Sequence, residues 1–133
     1  MKPSLKPGLA HTRKIVVDEP RVIDFMGKDC RVYATPRIIS DVEYTCRDFL
    51  LEHLDPGEDS VGTKVNWEHV GPALLGEQVT VSVELIQVEG RRITFKAEVS
   101  AGADAVARGT HERFIVDVHK VRERLLTRKA RVG

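Results

Sequence analysis

The chain has 133 residues, of which 21 are Lys or Arg and 20 are Asp or Glu, for a formal net charge of +1. That length suits one domain around one core, and so balanced a charge offers no field for nucleic acid or an anionic membrane. Two cysteines, Cys30 and Cys46, are too few for a disulfide framework, no run approaches the roughly 18 apolar residues of a membrane span, and MKPSLKPGLAHTRK lacks the apolar run of a secretory signal. A cytoplasmic protein with free thiols is expected.

Residues 1–10 carry two prolines and little that is apolar, and are expected to form a loose N-terminal arm. Lys14 to Val17 and Arg21 to Phe25 are short candidate strands, kept brief by Pro20 and Gly27. Met26 to Ala34 has no clean period, as in a connecting loop or in a lid packed over a pocket.

Thr35 to Leu54 is the one strong helix. Thr35 is placed to cap it, Pro36 suits the first helical position, and Asp55-Pro56-Gly57 stops it. At 100° per residue Ile38, Ile39, Val42, Cys46, Phe49, Leu50 and His53 fall on one arc, with Ser40, Asp41, Arg47, Asp48 and Glu52 outside it. Glu43 lies at the edge of that arc, where it can pair with Arg47, reach water or look into whatever covers the helix. Thr35 lies along the middle of the arc.

After the helix the period changes to two. Val61, Thr63, Val65, Trp67 and His69 share the inward face of a strand; Gly71-Pro72 ends it and Gly76-Glu77 opens the next. Glu89-Gly90 reverses the chain into a strand from Ile93, and Gly102-Ala103-Asp104 into a last strand from about Ala105 to Val118. Gly109 interrupts its alternation, which predicts a bulge or a close backbone approach. The tail 120–133 is basic, either a solvated terminus or a phosphate-binding arm. The whole reads as a single α+β domain, 1–133, with one long helix against a face of an antiparallel sheet whose four later strands form a meander. One helix covers only part of such a sheet, so a homodimer is expected.

Glu68–His69 and His111–Glu112 are strand neighbours pointing to opposite faces, so neither pair can grip a metal ion, and none is expected. No glycine-rich phosphate loop and no Gly-x-Ser-x-Gly elbow occurs. Thr35, Glu43 and His69 remain as the groups able to do chemistry, with His69 also readable as a core histidine beside Trp67.

The run ATPRIISDVEYTCRDFLLEHLDPGEDSVGTKVNWEH, followed by VEGRRITF and GTHERFIV, resembles the fluoroacetyl-CoA thioesterase-like branch of the hotdog-fold thioesterases over about Arg31 to His119. The resemblance implies a hotdog fold, a curved antiparallel sheet wrapped around one long central helix, dimeric with active sites at the seam. It implies a catalytic set of Thr35, Glu43 and His69, a thioester-positioning Gly62 and a site-proximal Arg113. The implied activity is hydrolysis of a small acyl-CoA thioester with no cofactor beyond the coenzyme A thioester as substrate. In that scheme His69 is the general base, Glu43 orients it, and Thr35 attacks the thioester or positions water. Arg91, Arg92, Lys120 and Arg122 are candidates for the coenzyme A phosphates. A non-catalytic acyl-CoA binding module and a purely structural partner protein are the rival functions. The resemblance leaves the acyl group open.

Overall fold

A computed structural model describes residues 1–133. The chain runs through β1 (Ala10–Val16), a 3-10 turn (Glu19–Arg21), the short strands β2 (Val22–Ile23) and β3 (Val32–Tyr33), helix α1 (Thr35–Leu51), the long strands β4 (Glu58–His69), β5 (Gln78–Glu89), β6 (Arg92–Ala101) and β7 (Asp104–Asp117), and helix α2 (Val118–Val132). No helix is long and apolar enough to cross a membrane.

Strand β1 and the four long strands form one antiparallel sheet in the order β1-β5-β6-β7-β4, and β2 pairs with β3 apart from it. This corrects the expected four-strand meander: β5, β6 and β7 are consecutive hairpin partners, but β4 returns to the far side of β7. Immediately before β4 the Val118 N–H bonds Gly57 O at 2.9 Å, fastening the start of β4 to the end of β7. Both β1 and β4 are left as edges with one partner each.

The expected apolar arc of α1 packs on the concave face of this sheet. Ile38, Val42, Cys46, Phe49 and Leu50 are buried against Val79, Val81, Val83, Leu85, Ile93, Phe95, Ala97 and Val99, the alternate residues of β5 and β6. Each large aliphatic or aromatic side chain so removed from water contributes about 1.5–3 kcal/mol. Ile39 and His53, expected within the arc, are only half-buried, while Asp41, expected outside it, is buried. The pieces at β2 and β3 explain Asp41: Arg21 donates to its carboxylate at 2.8 and 3.0 Å, and the buried Tyr33 hydroxyl donates to it as well. Two donors make a buried carboxylate tolerable and fasten this segment to the helix.

Both ends of α1 differ from expectation. Ala34, not Thr35, occupies the N-cap and no side chain caps the helix, so Thr35 and Pro36 are its first two helical residues. At the far end the α-helical pattern stops at Leu51. The Glu52, His53 and Leu54 N–H groups reach back three residues, to Phe49, Leu50 and Leu51, tightening the last turn.

Strand β4 carries the most consequential departure. Gly62 pairs with Arg113 and Lys64 with Glu112, leaving Thr63 as a bulge. Cross-strand partners share a face, so Ser60 and Gly62 point inward with Ile115 and Arg113, and beyond the bulge Val65, Trp67 and His69 do the same. Val61 and Thr63 therefore do not share the face of Val65, Trp67 and His69, because the extra residue resets the alternation. Gly109 sits in unbroken register, as the expected close approach: a Cβ there would lie 2.0 Å from Asn66 O and 2.6 Å from Trp67 Cε3. The bulge on β7 falls at Val106 instead. Residues 118–132 form a helix capped by Asp117, whose carboxylate accepts from the Lys120 N–H at 3.1 Å, and none of its residues is buried.

Candidate active site

Leaving the N-cap to Ala34 frees the Thr35 hydroxyl. It lies 2.6 Å from Nδ1 of His69, the last residue of β4. The helix start and the strand end thus converge on one alcohol–imidazole pair, open to solvent on a single chain.

Glu43 lies elsewhere. Its Oε1 is 3.5 Å from Nη1 of Arg113, and it covers Gly62 so closely that a Cβ on Gly62 would sit 2.9 Å from that oxygen and 3.1 Å from His111 Cε1. The alternative pairing with Arg47 does not form, because Arg47 grips Asp59 at 2.6 and 3.1 Å and thereby holds the Asp59 carboxyl below its ordinary range. The Glu43 side chain is 44% exposed, whereas that of Arg113 is 4% exposed. Beside them runs a cavity of about 420 Å³ lined by Pro36, Ile39, Ser40, Glu43, Tyr44, Arg47 and Arg113. The fold therefore brings Thr35 to His69, and Glu43 to Gly62 and Arg113, but leaves these two clusters apart. Glu43 lies eight positions beyond Thr35 along the helix, a rise of about 12 Å. Along β4 the distance from Gly62 to His69 is roughly 20 Å.

Beneath Glu43 the site-proximal Arg113 sits in a polar cluster with Ser60 and His111, two residues to which the sequence reading gives no place in the site. Arg113 Nε donates to Ser60 Oγ at 2.7 Å, its Nη2 to Ser60 O at 2.8 Å, and its Nη1 lies 3.1 Å from His111 Nε2. The other ring nitrogen of His111 is 3.0 Å from Lys64 O. His111 and Arg113 are only 2% and 3% exposed. Burial pulls both below their ordinary pKa; the Lys64 carbonyl opposes this for His111 and the Glu43 carboxylate for Arg113. Period two along β7 was the available signal, since His111, Arg113 and Ile115 are alternate residues of one inward face. Glu112 faces the other way, toward Thr63 and Arg92. Neighbouring Cys46 is a free buried thiol pushed up to about 12 by desolvation, unsuited to nucleophilic work. Cys30 is free and exposed.

Arg91 and Arg92 stand at the exposed β5–β6 turn, facing Glu58 at 3.7 Å and Glu112 at 3.4 Å, respectively. Lys120 and Arg122 begin the exposed α2.

The architecture has close counterparts among solved proteins. A Thermus thermophilus hypothetical protein, a thioesterase superfamily member, superposes with a TM-score of 0.87 at 26% identity, covering 97% of this chain and 96% of that one. A mutant of the fluoroacetyl-CoA-specific thioesterase FlK superposes with a TM-score of 0.86 at 28% identity, covering 96% and 99%. A structure of such a mutant in complex with fluoroacetate and CoA gives a TM-score of 0.80 at 29% identity, covering 88% and 99%. A helix laid in a curved antiparallel sheet, shared with these thioesterases over nearly the whole chain, makes this a hotdog-fold thioester hydrolase. Within that class, the sequence profile "FlK: Fluoroacetyl-CoA-specific thioesterase" matches residues 17–119, and the fluoroacetyl-CoA thioesterase of Streptantibioticus cattleyicolor is 30% identical over 127 residues, 90% of this chain and 91% of that protein. The chain belongs to the fluoroacetyl-CoA-specific thioesterase family.

Proposed function

We propose that the protein hydrolyses small acyl-CoA thioesters in a homodimer, using Thr35, His69 and the partner's Glu43, with no cofactor. The observation that carries this reading is the 2.6 Å contact between Thr35 Oγ1 and His69 Nδ1 at the first turn of α1. A nucleophile and its base within hydrogen-bonding reach, at a helix end with its positive dipole, is the arrangement acyl transfer needs.

In the reaction, the Thr35 hydroxyl attacks the thioester carbonyl carbon while His69 Nδ1 takes its proton. Charge gathers on the carbonyl oxygen. Pro36 lacks an N–H, and the Arg37 and Ile38 N–H groups both reach Ala34 O, which leaves the Thr35 N–H as the first-turn donor assigned to this oxygen. One such donor is worth about 10²–10³ in rate. The C–S bond breaks and the imidazolium returns its proton to the departing thiolate. Water, deprotonated by the same imidazole, then releases the acid and restores the hydroxyl. Direct contact between Oγ1 and Nδ1 leaves no room for a water between them, which favours this route over one in which Thr35 only positions water.

A carboxylate should orient the other nitrogen of His69, and the chain's own Glu43 is too far along both α1 and β4 to do so. Strand β4 has an unpaired edge. Antiparallel pairing of two such edges about a two-fold axis midway between Gly62 and His69 lays Thr35 and His69 of one chain beside the partner's Gly62 and the partner's Glu43.

The test is a thiol-release assay over acetyl-, propionyl-, fluoroacetyl- and malonyl-CoA, with His69→Ala as the control. The expected result is turnover of at least one small ester and a loss of about 10³-fold or more in the variant, which stays folded. Binding without thiol release would make the protein an acyl-CoA binding module instead, and unchanged turnover in His69→Ala would remove the base.

A further inference from the structure

The buried His111 has no part in the chemistry just described, yet its two ring nitrogens are fully engaged. Nδ1 is 3.0 Å from Lys64 O, a carbonyl that can only accept, so Nδ1 carries a hydrogen. Nε2 is 3.1 Å from Arg113 Nη1, which can only donate, so Nε2 carries none. The surroundings thus force one neutral tautomer. They also give Arg113 the acceptor that completes its anchoring, with Nε and Nη2 spent on Ser60 and Nη1 turned toward His111 and Glu43. Gly62, by lacking a Cβ, lets the Glu43 carboxylate settle over this pair.

We propose that His111 is a positioning residue for thioester hydrolysis: its neutral ring holds Arg113, Arg113 holds Glu43, and protonation of His111 releases the carboxylate. This rests on the reading in which Glu43 orients the base. The mechanism of release is a loss of complementarity. A second proton on His111 must go to Nε2, where it meets the Nη1–H of Arg113, placing two donors and two cations in contact out of water. Every charged group around the ring bears on the balance. Arg113 on β7 opposes the proton; Glu43 from α1 and Glu112 on β7 favour it; the Lys64 carbonyl from β4 favours it too. Desolvation outweighs them and holds the ring neutral to lower pH than an ordinary histidine, so the device is set at neutral pH and fails on acidification. The ring pKa being depressed, positioning is complete above the ordinary value of 6.5 and lost as pH falls through the lower one of the folded protein.

The experiment compares His111→Gln, whose amide oxygen can still accept from Arg113, with His111→Phe, which fills the space but accepts nothing. Both are assayed as full-length protein with the acyl-CoA that the panel shows to be turned over. His111→Phe should lower kcat by about thirtyfold or more with KM within about threefold, and His111→Gln should stay within about threefold of the parent. The acid limb of log kcat should carry one proton fewer in His111→Gln than in the parent, the one that His111 takes up. Nitrogen NMR of the unsubstituted protein supplies a measurement that needs no variant to fold: His111 should show the Nδ1–H tautomer at neutral pH and keep it below pH 6.5. A folded His111→Phe variant of unchanged kcat, an unaltered acid limb in His111→Gln, or an Nε2–H or charged ring at neutral pH would each overturn the proposal. His69→Ala separates the two readings: if it too is fully active, the assigned chemistry fails, whereas its inactivity beside an active His111→Phe sinks the positioning role alone.

Discussion

Gly62 shows how much of the site depends on a missing atom. Its backbone is not in the left-handed region, so alanine meets no conformational penalty there; the new methyl meets Glu43 Oε1 at 2.9 Å, Glu43 Cδ at 3.3 Å and His111 Cε1 at 3.1 Å. The carboxylate end is flexible and partly exposed, so it is the carboxylate that yields. Gly62→Ala should leave the melting temperature nearly unchanged while lowering kcat by about 10²-fold, the cost of a catalytic group misplaced by about 1 Å. Calorimetry beside a thiol-release assay checks both halves. A resemblance could place Gly62 near a thioester, but the reason for glycine, room for Glu43 above a buried histidine, emerges only from neighbours brought together from β4, β7 and α1.

At the scale of elements, α1 and β4 each carry one local irregularity that serves the site. The sequence signals for the helix start, a Thr before a Pro, are those of a capped end, and the helix does begin there; the cap is nevertheless Ala34 and makes no side-chain bond. The hydroxyl is drawn instead to His69, a partner 34 residues away whose presence no local rule can register. Thr35→Val should therefore cost only the one exposed hydrogen bond, about 1 kcal/mol or less of stability, with helical circular dichroism intact. Turnover should fall by about 10²–10⁴, and Thr35→Ser should keep most of it. In β4 the bulge at Thr63 lets Gly62 and Val65, an odd number of residues apart, face inward together. Alternation alone carries Val61 and Thr63 onto the face of Val65, and nothing in the one-dimensional pattern marks a residue left out of the ladder.

For the whole molecule the decisive number is the distance between the two clusters. If the base of one chain works with the partner's Glu43, then Glu43→Gln and His69→Ala homodimers should both be inactive, yet mixed dimers should hold one site with both groups intact. Co-expression with two different affinity tags should recover about half the parental kcat per mixed dimer, as one of two sites; mixtures without activity would place the whole set in one chain. Much of this architecture was legible in advance. The 3.6-residue period of α1, the period of two in β5, β6 and β7, the glycine turns and the near-neutral charge follow from side-chain chemistry acting over a few residues, and they fix an α+β domain with one long buried helix face. The residues on the sheet faces of β5 and β6 follow from the same alternation. What the tertiary structure alone decided is which distant groups meet: β4 beside β7 rather than β5, Asp41 buried under Arg21 and Tyr33, Glu43 on Arg113 and His111 rather than Arg47, and Thr35 on His69. Such pairings are set by backbone register and by the need of each buried polar atom for a partner, and those are properties of the packed chain rather than of any stretch of it.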